Sequence, residues 1–288
     1  MGEAYERGRY AEGLQLLDDA GPGLDPWASD LTHLRACLLG ALGEPDAAMA
    51  VLREGLARGD WWHERILLDD EDLIGLRDVP GFAALVEESA RRCRADASSP
   101  PPPPVVVAPA SAARGTLVVL HGAGQDVSRT ASAWSAATST GWTVVAVAST
   151  QRNTPAYASW PDQRVAERDV ARALGEARAP RTVPLVSAGF SAGGRAAILW
   201  ALRGSPVPVL GVVSVAPAIR PELVPDVHED VRGRVLVGVD DDLADAVRAT
   251  VAGLPGVRLD LVAGLGHRLP DGFPGWLVQS LEDVLSDC

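Results

Sequence analysis

Residues Leu185 to Arg195 read LVSAGFSAGGR, an apolar run that ends on a serine set among small residues. The run has the length of a strand, and AGGRAAILWAL, from Ala192 onward, has the apolar spacing of a helix. Gly189-Phe190-Ser191-Ala192-Gly193 therefore fits G-x-S-x-G in the setting where that pattern carries meaning, directly after a strand and directly before a helix. A turn this sharp crowds the neighbouring backbone, so small residues stand two positions to either side of Ser191. It lifts the hydroxyl out of the sheet and sets it at a helix N-terminus, whose free amides favour developing negative charge. Ser191 reads as a nucleophile; the plainer alternative is a serine that only caps the helix.

Working outward, short apolar runs alternate with longer amphipathic stretches. The runs are TLVVL from Thr116, TVVAVA from Thr143, VPLVSAGF from Val183, VLGVVSVA from Val209, RVLVGV from Arg234 and RLDLVAG from Arg258. Helical spacing fills Arg129 to Thr140, Asp162 to Ala177, Ala192 to Leu202, Leu243 to Ala252 and Trp276 to Leu285. Valine and leucine runs without polar alternation are what strands look like when both faces are covered. Strand and helix in regular succession predict a mostly parallel sheet with right-handed crossovers, an α/β domain.

A serine hydroxyl is a weak nucleophile at neutral pH and needs a base that is itself oriented by an acid. His267, in VAGLGHRLP, follows the last strand in a glycine-flanked loop. His228, in VPDVHED, precedes a strand and so falls at the opposite edge. After RVLVGV come three aspartates, Asp240, Asp241 and Asp242, and the residues alone leave the choice of acid open. One of them has a competing use, since Asp242 stands where it would cap the helix from Leu243.

Together LVVLHGAGQD, GFSAGGRAAI, VLVGVDDDL and GLGHRLPDGF resemble the α/β-hydrolase superfamily, and the arrangement is similar to its phospholipase/carboxylesterase and dienelactone-hydrolase-like branches. The resemblance covers roughly residues 105 to 288, and YASWPDQRVAERDVARAL from Tyr157 is similar to a stretch those esterases carry. It implies ester or thioester hydrolysis on a small molecule, with no metal or organic cofactor. It favours Asp241 as the acid, three residues after Gly238, with Ser191 as nucleophile and His267 as base. It implies oxyanion donors at the amides of Ala192 and Ala123, with Gly124 as the second choice in the His121-Gly122 loop. His121 itself is expected to be structural. Tyr157 and Trp160, with Gly124, are candidates for the substrate pocket. The fold also hosts peptidases and enzymes of cyclisation, acyl transfer or elimination, so fold alone does not choose the reaction.

Upstream the pattern changes. Residues 1–96 show apolar spacing of three and four, as in Leu31, Leu34, Leu38 and Leu42, with no competing alternation. GRYAEGLQLL from Gly8 and GEPDAAMAVL from Gly43 lie 35 positions apart, each with a glycine turn and then a small residue, Gly13 or Ala48. That period resembles a tetratricopeptide repeat, in which small residues let paired helices approach closely. The segment from Trp61 reads as a capping helical unit, with Trp61 and Trp62 as core. The run ASSPPPPPVVVAP predicts a proline-rich linker over 97–110, leaving 111–288 as the catalytic domain. The expected fold is thus an α/β-hydrolase fold preceded by a small all-α TPR-like domain. That helical domain is open to three readings: a surface for a protein partner or self-association, a lid, or the working part of a non-catalytic binding protein.

Composition narrows the remaining classes. With 26 basic residues, all arginine, against 38 acidic ones, the formal net charge of −12 excludes a phosphate-backbone partner, so no nucleic acid is expected. The absence of lysine excludes Schiff-base chemistry. Cys37, Cys93 and Cys288 are too few and scattered for a disulfide framework or a zinc site, and a reducing compartment follows. The N-terminus has no signal-peptide pattern and no apolar run approaches the ~20 residues of a membrane helix, so a cytoplasmic protein without membrane association is expected.

Overall fold

The computed structural model describes residues 4–5, 7–19, 23–180 and 182–286; Cys288 lies outside them. The chain divides into two compact units, Met1–Pro100 with Arg152–Ala158, and Pro101–Gln151 with Ser159–Cys288.

The first unit is helical: α1 (Tyr10–Asp18), α2 (Ala28–Ala41), α3 (Pro45–Arg58), α4 (Glu64–Leu68) and α5 (Phe82–Ala97), with a 3-10 turn at Glu71–Leu76. Gly8 and Gly43, which precede α1 and α3, have φ of 67° and 77°, a left-handed conformation that glycine adopts without strain. The small residues of the repeat sit at close approaches: Ala48 is fully buried, and a Cβ on Gly13 would stand 3.0 Å from the Leu38 side chain. Leu38, Met49, Leu52, Trp62, Leu67, Leu73 and Leu76 are buried, and all but Leu38 join Phe82 and Leu85 in a single apolar core. Trp62 fills it while its indole N–H donates to the Ser29 carbonyl at 2.8 Å and its amide to Ser89 Oγ at 2.7 Å.

Seven residues from the far side of the sequence complete this unit. In Arg152–Ala158 the Asn153 carbonyl accepts from the His63 amide at 2.7 Å, Arg152 pairs with Asp96 at 2.9 Å, and the buried Thr154 hydroxyl meets the Asp30 carboxylate at 3.0 Å. The expectation of one continuous domain over 111–288 is therefore corrected. Burial pushes the Asp30 carboxyl up from its ordinary value, which the Thr154 hydrogen bond partly offsets.

In the second unit the strands are β1 (Val105–Val107), β2 (Gly115–Leu120), β3 (Trp142–Val147), β4 (Leu185–Phe190), β5 (Gly211–Val215), β6 (Gly233–Gly238) and β7 (Val257–Val262). They form one sheet in the order β1-β3-β2-β4-β5-β6-β7, parallel throughout except for β1. The 97–110 linker is corrected by β1, which pairs antiparallel with β3 through Val105↔Ala146, Val106↔Val145 and Val107↔Val144. Prolines lack the ladder donor, but the valines after them have it, and an edge position needs only one paired side. Strand period divides the core in two. Val118, Leu120, Val145 and Val147 face α7 (Gln163–Glu176), α8 (Ala192–Arg203) and α9 (Ala244–Ala252), while Leu117, Val119, Val144 and Ala188 face α6 (Val127–Trp134) and α10 (Phe273–Ser286). Among the described residues no helix is long and apolar enough to cross a membrane.

Gly55, inside α3, tests how tightly the helical unit is packed. A Cβ there would stand 2.8 Å from each of Asp60 Oδ2, Thr32 Cγ2 and the Trp62 ring. Helix propensity favours alanine by about 1 kcal/mol; overpacking disfavours it by about 1–3 kcal/mol. Asp60 is held by Ser29 at 2.9 Å, so the neighbours yield little. Gly55→Ala is expected to lower the denaturation midpoint of the full chain, and a raised midpoint would show that the contact relaxes.

Candidate active site

Ser191 joins β4 to α8 with φ 54° and ψ −120°, a backbone conformation that a non-glycine residue holds only when its surroundings enforce it. The enforcement is visible. The Ser191 amide donates to the Val215 carbonyl, and its own carbonyl accepts from the Arg195 and Ala218 amides, all at 3.0 Å. A Cβ on Gly193 would overlap the Leu120 and His121 carbonyls, and one on Gly189 would come within 2.5 Å of the Gly193 backbone. The sequence reading called only for small residues at these flanking positions; the space admits glycine alone.

The Ser191 hydroxyl lies 2.9 Å from His267 Nε2, and His267 Nδ1 lies 2.9 Å from Asp241 Oδ2. Among the three aspartates only Asp241 is buried; Asp240 and Asp242 are exposed. Its second oxygen accepts the Leu243 amide at 2.9 Å, so the turn at the start of α9 is satisfied by Asp241, and not by Asp242 as its position suggested. Gly238 explains why acid and imidazole meet: a Cβ there would overlap the Leu265 carbonyl, and the Asp240 amide donates to that same carbonyl at 3.0 Å. The loops after β6 and β7 are thereby laid against each other. The His267 side chain is 41% exposed, open enough for a reactant to approach, while Asp241 is sealed beneath it. The Phe190 ring supports the imidazole at 5.0 Å between centroids.

The loop after β2 carries the other predicted residues. The Gly122 amide donates to Gln125 Oε1 at 2.9 Å and the Gln125 amide to the Gly122 carbonyl at 3.0 Å, which closes a turn around Ala123 and Gly124. Gly124 has φ 68° and holds the left-handed step of this turn. His121 is buried with both ring nitrogens engaged: Nδ1–H donates to the Gly122 carbonyl at 2.7 Å, and Nε2 accepts the Ser149 amide at 3.3 Å. Burial pushes its pKa down, so the ring is neutral. Trp160 is corrected: only 1% exposed, it is core, and its indole N–H holds the His121 carbonyl at 2.7 Å. Tyr157 is half-buried in the segment that completes the helical unit, its amide bonded to the Thr154 hydroxyl at 3.0 Å. Sequence reasoning missed Gln125, Phe190 and Arg195. Arg195, one turn into α8, is half-buried and donates to the Trp160 carbonyl, and desolvation lowers its pKa. Only the unusual position of an arginine in an otherwise apolar helix start hinted at it.

Sheet order, the strand-turn-helix at Ser191 and the loops that bring His267 and Asp241 to it define an α/β-hydrolase fold, preceded by a helical N-terminal domain. Residues 2–97 match the family described as "A/B hydrolase-like, N-terminal domain". A solved structure of an uncharacterized protein from Bacillus cereus ATCC 10987 is similar over 98% of this chain and 96% of that one, at 19% identity and a TM-score of 0.52. Esterase PE8 is similar over 63% of this chain and 98% of its own, at 19% identity and a TM-score of 0.52. The Paleococcus ferrophilus monoacylglycerol lipase matches 64% of this chain and 99% of its own, at 15% identity and a TM-score of 0.50. No curated protein matches the chain.

Gly238→Ala probes the contact that sets the imidazole. The added methyl has to push the Leu265 carbonyl, and with it the His267 loop, away from Ser191. Misplacement of about 1 Å costs on the order of a hundredfold in rate. Reaction of Ser191 with a fluorophosphonate is expected to slow by that order, with an unchanged far-ultraviolet spectrum. An unchanged labelling rate would separate Gly238 from the site.

Proposed function

We propose that the second unit is a serine hydrolase that cleaves a carboxylic ester or thioester of a small molecule through an acyl-enzyme. One observation carries the reading: the unbroken chain from the Ser191 hydroxyl through His267 to the buried Asp241 carboxylate, with 2.9 Å at each step. In this reading His267 Nε2 takes the hydroxyl proton as Ser191 Oγ bonds to the carbonyl carbon. Asp241 holds Nδ1–H, which fixes the tautomer and stabilises the imidazolium that forms. Negative charge gathers on the carbonyl oxygen and meets the amides of Ala192, at the start of α8, and Ala123, whose neighbour Gly122 is already engaged by Gln125. Each such donor contributes about 3 kcal/mol to the transition state. The imidazolium then gives its proton to the departing alkoxide or thiolate. A water, deprotonated by the same nitrogen, releases the acid and returns the proton to Ser191.

Ester chemistry is also that of two proteins of this fold, named an esterase and a lipase. Incubation with a fluorophosphonate is expected to add one adduct, on Ser191, with turnover of p-nitrophenyl esters whose chain-length profile measures the acyl pocket. Ser191→Ala abolishes both. Asp241→Asn favours the wrong tautomer and lowers kcat by about a thousandfold or more. A folded chain that takes no adduct and turns over neither ester nor thioester would overturn the assignment.

A further inference from the structure

Arg195 stands one helical turn beyond Ser191, its amide donating to the Ser191 carbonyl at 3.0 Å. Its guanidinium is half-buried and held at a single point, where Nη2 donates to the Trp160 carbonyl. Among the described residues Nε and Nη1 have no hydrogen-bond partner, and no carboxylate pairs with the group: desolvation works on its charge with no acid to offset it. Half-buried arginines elsewhere in the chain are treated differently. Arg234 is paired with Asp260 and Asp283, Arg172 with Glu176, Arg92 with Glu88 and Arg152 with Asp96. A chain with 38 acidic residues has left this one cation, beside its nucleophile, without a counter-ion. A charge taken out of water is costly unless it is paired, so an unpaired one calls for an anion from outside.

The place of the guanidinium follows from its anchor. Trp160, whose carbonyl holds Nη2, donates its indole N–H to the His121 carbonyl at 2.7 Å, at the base of the loop that carries Ala123. Ala123 itself packs against the cluster that contains Trp160, Ala192 and Ala196. The charge is thereby bracketed between the first turn of α8 and the loop after β2, the two elements that flank Ser191. We infer that Arg195 binds an anionic group of the substrate, so that the ester or thioester cleaved at Ser191 carries a carboxylate. The inference rests on the serine hydrolase reading and narrows its substrate class. Arginine suits the task on two counts. It stays charged where desolvation would discharge a weaker base, and one nitrogen fixed on a carbonyl orients the plane so that the other two are presented to a carboxylate with little further ordering. The formal net charge of −12 works against an anion at long range, so recognition has to be made by a local contact of this kind.

The test compares esters that differ in that charge alone. On the acyl side, p-nitrophenyl monoesters of glutaric, adipic and pimelic acids are set against p-nitrophenyl pentanoate, hexanoate and heptanoate, each corrected for spontaneous hydrolysis. On the alcohol side, 4-acetoxybenzoate is set against 4-acetoxybenzamide. Full-length wild type is expected to favour the charged member in one of the two arms by about tenfold or more in kcat/KM, expressed in KM and shrinking as salt is added. Arg195→Met removes the anchor at Trp160 together with the charge, so it slows charged and neutral esters alike, but within that variant the preference between them disappears. Arg195→Lys keeps a cation and is expected to retain part of the preference. A wild type that cleaves the neutral esters as well as the charged ones in both arms, or a preference that survives in Arg195→Met, would overturn the inference and leave the hydrolase reading standing. A folded wild type that takes no fluorophosphonate adduct and cleaves none of these esters would overturn both.

Discussion

Gly193 passes so close beneath the Leu120 and His121 carbonyls that no side chain fits between them, and this one backbone approach organises the site. It clamps the start of α8 to the end of β2. The strained turn at Ser191 is the geometric consequence, since a strand that must feed a helix across so short a gap has to reverse within one residue. Strain of this kind costs on the order of 1–3 kcal/mol and survives only where hydrogen bonds over-determine it. Here the Val215 carbonyl and the Arg195 and Ala218 amides do so. Ala216, with φ 46°, marks a second strained residue at the same sheet edge, where its amide is held by the Leu236 carbonyl at 2.7 Å.

The two amides proposed to meet the oxyanion belong to different elements, so their spacing depends on how those elements are tied together. The tie is a short relay of side chains to backbone. Arg195 on α8 holds the Trp160 carbonyl, and the Trp160 indole holds the His121 carbonyl at the base of the loop that carries Ala123. A guanidinium is suited to this because it cannot lose its charge, even where desolvation works against it. His121 completes the relay as a ring with both nitrogens occupied.

Legibility in the sequence followed the range of the interaction. The strand-turn-helix at Ser191 is local, and the residues within a few positions of it dictate it; the parallel sheet was legible for the same reason, from unalternating apolar runs. Asp241 could be named only by resemblance, because three successive aspartates differ in burial alone, and burial is decided by the Leu265 carbonyl against Gly238. β1 was hidden by its prolines. Trp160 was misread because an aromatic near a site can line it or underpin it, and the hydrogen bond to His121 that decides this spans 39 positions. The placement of Arg152–Ala158 rests on pairings such as Thr154 with Asp30, 124 positions apart, for which no periodicity exists.

The same argument applies within the helical unit. His33 and Cys37 share a helix face by period alone, and that much is written in the sequence. Asp70 joins them only because the core of Met49, Leu52, Leu73 and Leu76 draws the 3-10 turn at Glu71–Leu76 onto α2, an outcome of packing rather than of pattern. Once the turn is there, its own need for an acceptor at the Asp72 amide orients the carboxylate. The Cys37 thiol then donates to the other carboxylate oxygen at 3.4 Å, so the turn is tied to α2 by a side chain as well as by the core.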